Sequence, residues 1–170
     1  MPASRDYEKK LEAMLFASGE SVPLARLAEA LECDIPMTRN LLQKMAETYK
    51  KNNSGIILRE VDESYLLCTN PDYYPSVQKL LKLKPRRALT PSVLETLSII
   101  VFKQPVTKAV IEQIRGVNSD HGVNKLVEYG LIEEKGRLDA PGRPMLFGTS
   151  EKFLIHYGLK NLDELISTDL

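Results

Sequence analysis

The same succession of elements occurs twice along the chain, and that repetition limits what 170 residues can become. Tyr7, Leu11, Met14 and Leu15 fall at the spacing of one helix face. Ser18-Gly19 ends that helix, with Gly19 suited to the left-handed position that follows a helix. Leu24, Leu27, Ala28 and Leu31 mark a short second helix, and Pro23 fits its start. A third helix is predicted over 37–51, with Leu41, Leu42, Met45 and Tyr49 on one face, broken by Asn52-Asn53-Ser54-Gly55. Two β-rich runs, 56–61 and 65–69, around the polar residues 62–64 then predict a hairpin.

The order returns after Thr90. Thr90-Pro91 is a helix start, a capping hydroxyl followed by proline at the first helical position. Val93, Leu94, Leu97, Ile100 and Val101 form its stripe. A second helix is predicted over 107–114, ended by Gly116, and a third over 119–129, closed by Gly130 with apolar Leu131 behind it. Strands are predicted at 131–135 and 145–147, flanking a long loop over 136–144. Leu11-Glu12 matches Leu94-Glu95, and Val22 matches Val106. The expected fold is mainly α with small β hairpins (α+β), as two tandem winged helix-turn-helix domains. The first occupies 1–72, a basic linker or helix 73–89, and the second 90–170.

Such domains grip DNA or dock proteins, and fold alone does not choose. Lys+Arg and Asp+Glu both number 23, so the net charge is zero. Residues 1–85 carry 12 of each sign and residues 86–170 carry 11 of each. Neither half has the positive bias of a dedicated nucleic-acid module. The first candidate reading helix offers Arg39, Lys44, Lys50 and Lys51 with Glu47 among them; the last two lysines also suit the helix dipole. The second offers Lys125 against Asp120 and Glu128, with Asn124 as its one base-edge reader. Lys79, Lys82, Lys84, Arg86 and Arg87 point the other way, with no acid between Asp72 and Glu95. They are either a weak, sequence-blind DNA contact or a solvated hinge with Leu80, Leu81 and Leu83 packed inward.

No catalytic, metal or cofactor site is expected. His121 and His156 lie far apart, Cys33 and Cys68 form no C-x-x-C pair, and no glycine-rich phosphate loop is present. Glu133 and Glu134 are neighbours on a predicted strand and point to opposite faces. Cys68, in an apolar strand, reads as core. The polar start and the lack of about 20 consecutive apolar residues predict a cytoplasmic protein without membrane contact.

The run Gly136-Arg137-Leu138-Asp139-Ala140-Pro141-Gly142-Arg143-Pro144-Met145-Leu146-Phe147-Gly148-Thr149 closely resembles the segregation and condensation protein B (ScpB) family. So do 11–20, beginning Leu11-Glu12-Ala13-Met14, the segment Leu94-Glu95-Thr96-Leu97-Ser98-Ile99-Ile100, and Lys103-Gln104-Pro105-Val106-Thr107. Pro23 departs from the family, where Ser or Thr commonly caps. The resemblance implies a non-enzymatic scaffold of a bacterial SMC–kleisin complex, cytoplasmic and nucleoid-associated, supporting chromosome condensation and segregation. It implies a homodimer formed through the first domain, binding the kleisin ScpA largely through the second and reaching SMC heads through ScpA. The alternative is a winged-helix DNA-binding transcriptional regulator.

An amphipathic kleisin segment would lie in a groove. Leu138, Pro141, Met145 and Phe147 are candidates for its wall, although Met145 and Phe147 equally suit the core. Arg137 and Arg143 either meet a partner carboxylate or brace the loop. Leu42, Tyr65 and Leu66 are candidates for the dimer surface, although helical phase does not separate them from core.

Overall fold

A computed structural model describes residues 3–83 and 88–167, and the chain parts into two units, Met1–Pro85 and Arg86–Leu170. Its mixed α+β character is the predicted one. In the first unit α1 (Ala3–Ser18) is followed by β1 (Val22–Pro23), α2 (Leu24–Leu31) and α3 (Ile35–Lys51). Then come β2 (Ile56–Val61), β3 (Ser64–Thr69), a 3-10 turn at Pro71–Tyr73 and α4 (Tyr74–Leu81). The second unit runs α5 (Pro91–Lys103), β4 (Val106–Thr107), α6 (Lys108–Arg115) and α7 (Asp120–Glu128). It continues with β5 (Ile132–Arg137), β6 (Met145–Thr149), α8 (Glu151–Tyr157) and α9 (Leu162–Ser167).

The two sheets share one topology, β1-β3-β2 and β4-β6-β5, all antiparallel. The two-residue strands β1 and β4 are too short for periodicity to reveal. Each nevertheless sets a buried valine beside a buried aromatic: Val22 opposite Tyr65, and Val106 opposite Phe147. The repeat therefore holds at Val22 and Val106. It shifts at the first helix of each unit, because Leu11 is fully buried while Leu94 is 43% exposed. Burial phases coincide at an offset of 85, with Leu11 matching Thr96 and Leu15 matching Ile100, all at 0–2% exposure.

Local chemistry sets the element ends. Asp34 caps α3, its Oδ1 accepting from Met37 N at 2.7 Å, and Thr107 and Ser150 cap α6 and α8 in the same way. Thr90 occupies the cap position of α5, but its hydroxyl makes no capping bond; its carbonyl accepts from Val93 and Leu94 N instead. Pro23 likewise gives α2 no side-chain cap, and the Leu24 N–H donates to Glu63 O of the first hairpin at 2.9 Å. That hairpin turns through two residues, because Ser64 already pairs with Val61. Asp62 and Glu63 both sit at positive φ, 43° and 59°, the two-residue turn that matches strand twist.

In the first unit Leu11, Leu15, Leu27, Leu41, Leu42, Met45 and Tyr65 share one core. In the second, α5 and α7 approach so closely that a Cβ on Gly122 would stand 2.6 Å from Thr96 Oγ1. Gln104, just past α5, ties the helix to β6: its Oε1 accepts from Thr149 N at 2.6 Å and from Thr149 Oγ1 at 3.0 Å. Among the described residues, every buried side-chain polar atom has a hydrogen-bond partner.

Gly122→Ala is expected to destabilise the second unit by about 1–3 kcal/mol through overpacking. Adding Thr96→Ala, which removes the clashing hydroxyl, gives a double variant that loses less than the two singles summed, read from chemical denaturation midpoints. Gln104→Ala leaves the Thr149 amide without its acceptor and is expected to cost about 1–3 kcal/mol by the same measurement.

Candidate docking surfaces

The conspicuous second loop is held by its own backbone. Leu138 N donates to Pro144 O at 2.9 Å and Arg143 N to Ala140 O at 2.8 Å. Arg137 Nη1 donates to Arg143 O at 3.1 Å, so this arginine braces the loop through a carbonyl, not through an ion pair. Leu138, Pro141 and Arg143 face solvent, while Met145 is half-buried. Phe147 is only 5% exposed beside Val106, so it is a core residue and offers no groove wall. The six proposed groove residues thus split between loop surface and core.

The candidate dimer residues need a similar correction. Leu42 is fully buried and Tyr65 is 2% exposed, both within the first unit's own core, which leaves no area for a partner; Leu66 is half-buried. Among the apolar side chains that the first unit's core does not use are Phe16 on α1, 80% exposed, and a leucine pair on α4. That helix buries none of its residues, and Leu80 and Leu81 are 80% and 58% exposed, so they do not pack inward as the hinge reading expected. Lys79 and Lys82 are exposed beside them; Lys84, Arg86 and Arg87 lie outside the described residues.

One cation of each candidate reading helix, Arg39 and Lys125, is engaged within the chain, and Lys108 of α6 holds the acidic start of the second. Arg39 donates to Glu60 Oε1 at 3.1 Å and to Glu63 Oε1 at 3.0 Å, both on the first hairpin. Lys108 meets Asp120 at the start of α7 at 2.8 Å, and hydrogen bonding from that ammonium holds the Asp120 carboxyl below its usual pKa. Lys125 pairs with Glu128 at 2.7 Å. A phosphate backbone approaching either helix would have to displace carboxylates.

The second unit also contains a feature that periodicity did not reveal, a cleft of about 500 Å³. Leu131 is buried in its lining, and Leu89, Leu94, Tyr129 and Tyr157 supply further apolar surface. Glu128, Lys152 and His156 supply the polar groups. α8 is fixed beneath it by buried Phe153 and Leu154, and the Phe153 and Tyr157 rings lie 4.8 Å apart. Partial burial raises the Tyr157 phenol above its ordinary pKa. The sequence signal for α8 is its Ser150 cap, whose hydroxyl accepts from Phe153 N at 3.2 Å.

Both cysteines are free and half-buried, and burial pushes the Cys68 thiol upward, away from nucleophile character. Among the described residues no group of three His, Cys, Asp or Glu is placed to hold a metal, and no helix is long and apolar enough to cross a membrane.

The model of the family described as segregation and condensation complex subunit ScpB matches residues 9–168. Segregation and condensation protein B of Agathobacter rectalis is 50% identical over 161 residues, covering 94% of this chain and 86% of that protein. The crystal structure of ScpB from Mycobacterium tuberculosis is 36% identical, covering 94% of this chain and 99% of that one, with a TM-score of 0.46. A crystal structure of a dimer of the ScpB N-terminal domain complexed with an ScpA peptide is 26% identical, covering 46% of this chain and 98% of that one, with a TM-score of 0.44.

Tyr65 gives the first unit an alkaline limit. Its hydroxyl donates to Glu60 Oε1 at 2.9 Å, and desolvation together with that bond raises the phenol pKa to about 12. An unfolded tyrosine titrates near 10. The folded state therefore holds this proton more tightly, and the stability it contributes is intact below about pH 10 and drains away as pH rises toward 12. Tyr65→Phe is expected to flatten that part of the stability profile, measured by thermal melts between pH 8 and 11.

Proposed function

This chain belongs to the ScpB family of segregation and condensation complex subunits, and on that premise we propose that it is a homodimeric, non-enzymatic scaffold that binds the kleisin ScpA. The observation that carries the reading is the match across residues 9–168, nearly the whole chain, which takes in both units. Each unit acts as a winged helix that docks proteins. ScpA links the dimer to the SMC heads, in the cytoplasm at the nucleoid, during chromosome condensation and segregation. Intrachain pairing of Arg39, Lys108 and Lys125 supports protein docking over the regulator reading, because it takes up cations that a phosphate contact would use. Lys79 and Lys82 leave room for a weak DNA contact without sequence preference.

The first unit, with the α4 segment, serves dimerisation; the second serves the kleisin. Exposed Leu80 and Leu81 replace buried Leu42 and Tyr65 as the apolar surface that a second copy covers. Leucines this exposed, side by side on a helix that buries nothing in its own unit, gain most from a partner.

Light scattering after gel filtration is expected to give about twice the chain's 19.2 kDa. Leu80→Glu, Leu81→Glu together are expected to give a folded monomer, with the circular dichroism melt retained. Mixing wild type with ScpA should produce a heavier complex on the same column. A chain that stayed at its own mass with ScpA present, yet bound one DNA sequence over others in physiological salt, would establish the regulator reading instead.

A further inference from the structure

The cleft of the second unit has the makeup of a peptide receptor, and its charge selects the occupant. Its floor and walls are apolar: Leu131 is buried, while Leu94, Tyr129 and Tyr157 remain 36–43% exposed and so keep area for a ligand. Side chains this open describe a surface trough that a chain segment enters from solvent. Two charged groups on its rim differ in their engagement. Glu128 already pairs with Lys125 at 2.7 Å. Lys152 makes no ion pair among the described residues. Its methylenes lie over Gly130, where a Cβ would come within 3.2 Å of Cδ and Nζ, so the missing side chain at the end of α7 is what seats this cation at the rim. The uncompensated charge at the trough is therefore positive.

We propose that this cleft receives a short partner segment in which apolar side chains fill the Leu94–Tyr129–Tyr157 trough and a neighbouring carboxylate meets Lys152. This rests on the partner-binding reading above, and it moves the contact from the Arg137–Phe147 hairpin to the trough between α5, α7 and α8. The repeat supports the move. At the offset of 85 where burial coincides, the first unit has exposed Lys9 in the place of Leu94, and α4, the helix that follows the first hairpin, buries none of its residues, whereas α8 is anchored by Phe153 and Leu154. The trough thus belongs to the second unit's own construction and is not a by-product of the shared fold.

The test uses the full chain and purified ScpA, with affinity measured by calorimetry and mass by light scattering. Leu94→Glu, Tyr157→Ala and Lys152→Glu alter exposed side chains, and unchanged melting curves confirm that each variant folds. Each is expected to weaken ScpA binding at least tenfold while the mass of the free protein stays that of wild type. Lys152→Glu should also reduce the salt dependence of binding, whereas Leu138→Glu on the hairpin loop should bind within twofold of wild type. If wild type binds ScpA and all three cleft variants bind equally well, the cleft assignment falls while the scaffold reading stands. Cleft variants that change the mass of the free protein would overturn it in favour of self-association. Failure of wild type to bind ScpA would bring down both readings.

Discussion

Each unit depends on one small antiparallel contact, a two-residue strand clamped against the second strand of a hairpin. Val22 meets Tyr65 in the first unit and Val106 meets Phe147 in the second, and all four side chains are buried. Without that contact the hairpin would be an isolated two-stranded ribbon, which is marginal in water. With it, the hairpin becomes a three-stranded sheet joined to the turn before the second helix. The Leu24–Glu63 bond and the Gln104–Thr149 bonds reinforce the same junction at different points. Helices and sheet then share a core, and the orientation of every surface residue follows.

That clamp also explains which parts of the molecule were legible beforehand. Long helices such as α3 show in the sequence because Leu41, Leu42 and Met45 repeat at helical spacing, and the hairpins show because β-rich runs bracket polar turns. Two-residue strands carry no period, so the buried partners of Val22 and Val106 could not be told from surface aromatics. Tyr65 and Phe147 were for that reason candidates for an interface when they are the clamp itself. Leu42 failed differently: helical phase identifies an apolar face without saying what covers it. The family resemblance was readable from the loop and the 103–107 segment, because those residues are constrained by backbone geometry, whereas a cleft assembled from three helices has no contiguous signature.

Charge balance acquires a structural meaning from the ion pairs. Arg39 of α3 is matched to carboxylates on the first hairpin, and Lys108 of α6 to Asp120 at the start of α7. Such exposed pairs contribute little stability individually. Their larger effect is on selectivity, since they remove the uncompensated positive field that draws a protein onto nucleic acid. Lys152 stands apart because its charge is directed at an apolar trough.

The bare leucines of α4 bear on how the protein behaves when made alone. A chain with no net charge has weak colloidal repulsion, and Leu80 and Leu81 give it an adhesive surface as well. A second copy laid over α4, as proposed above, would cover that surface, and dilution that separates the copies would bare it again.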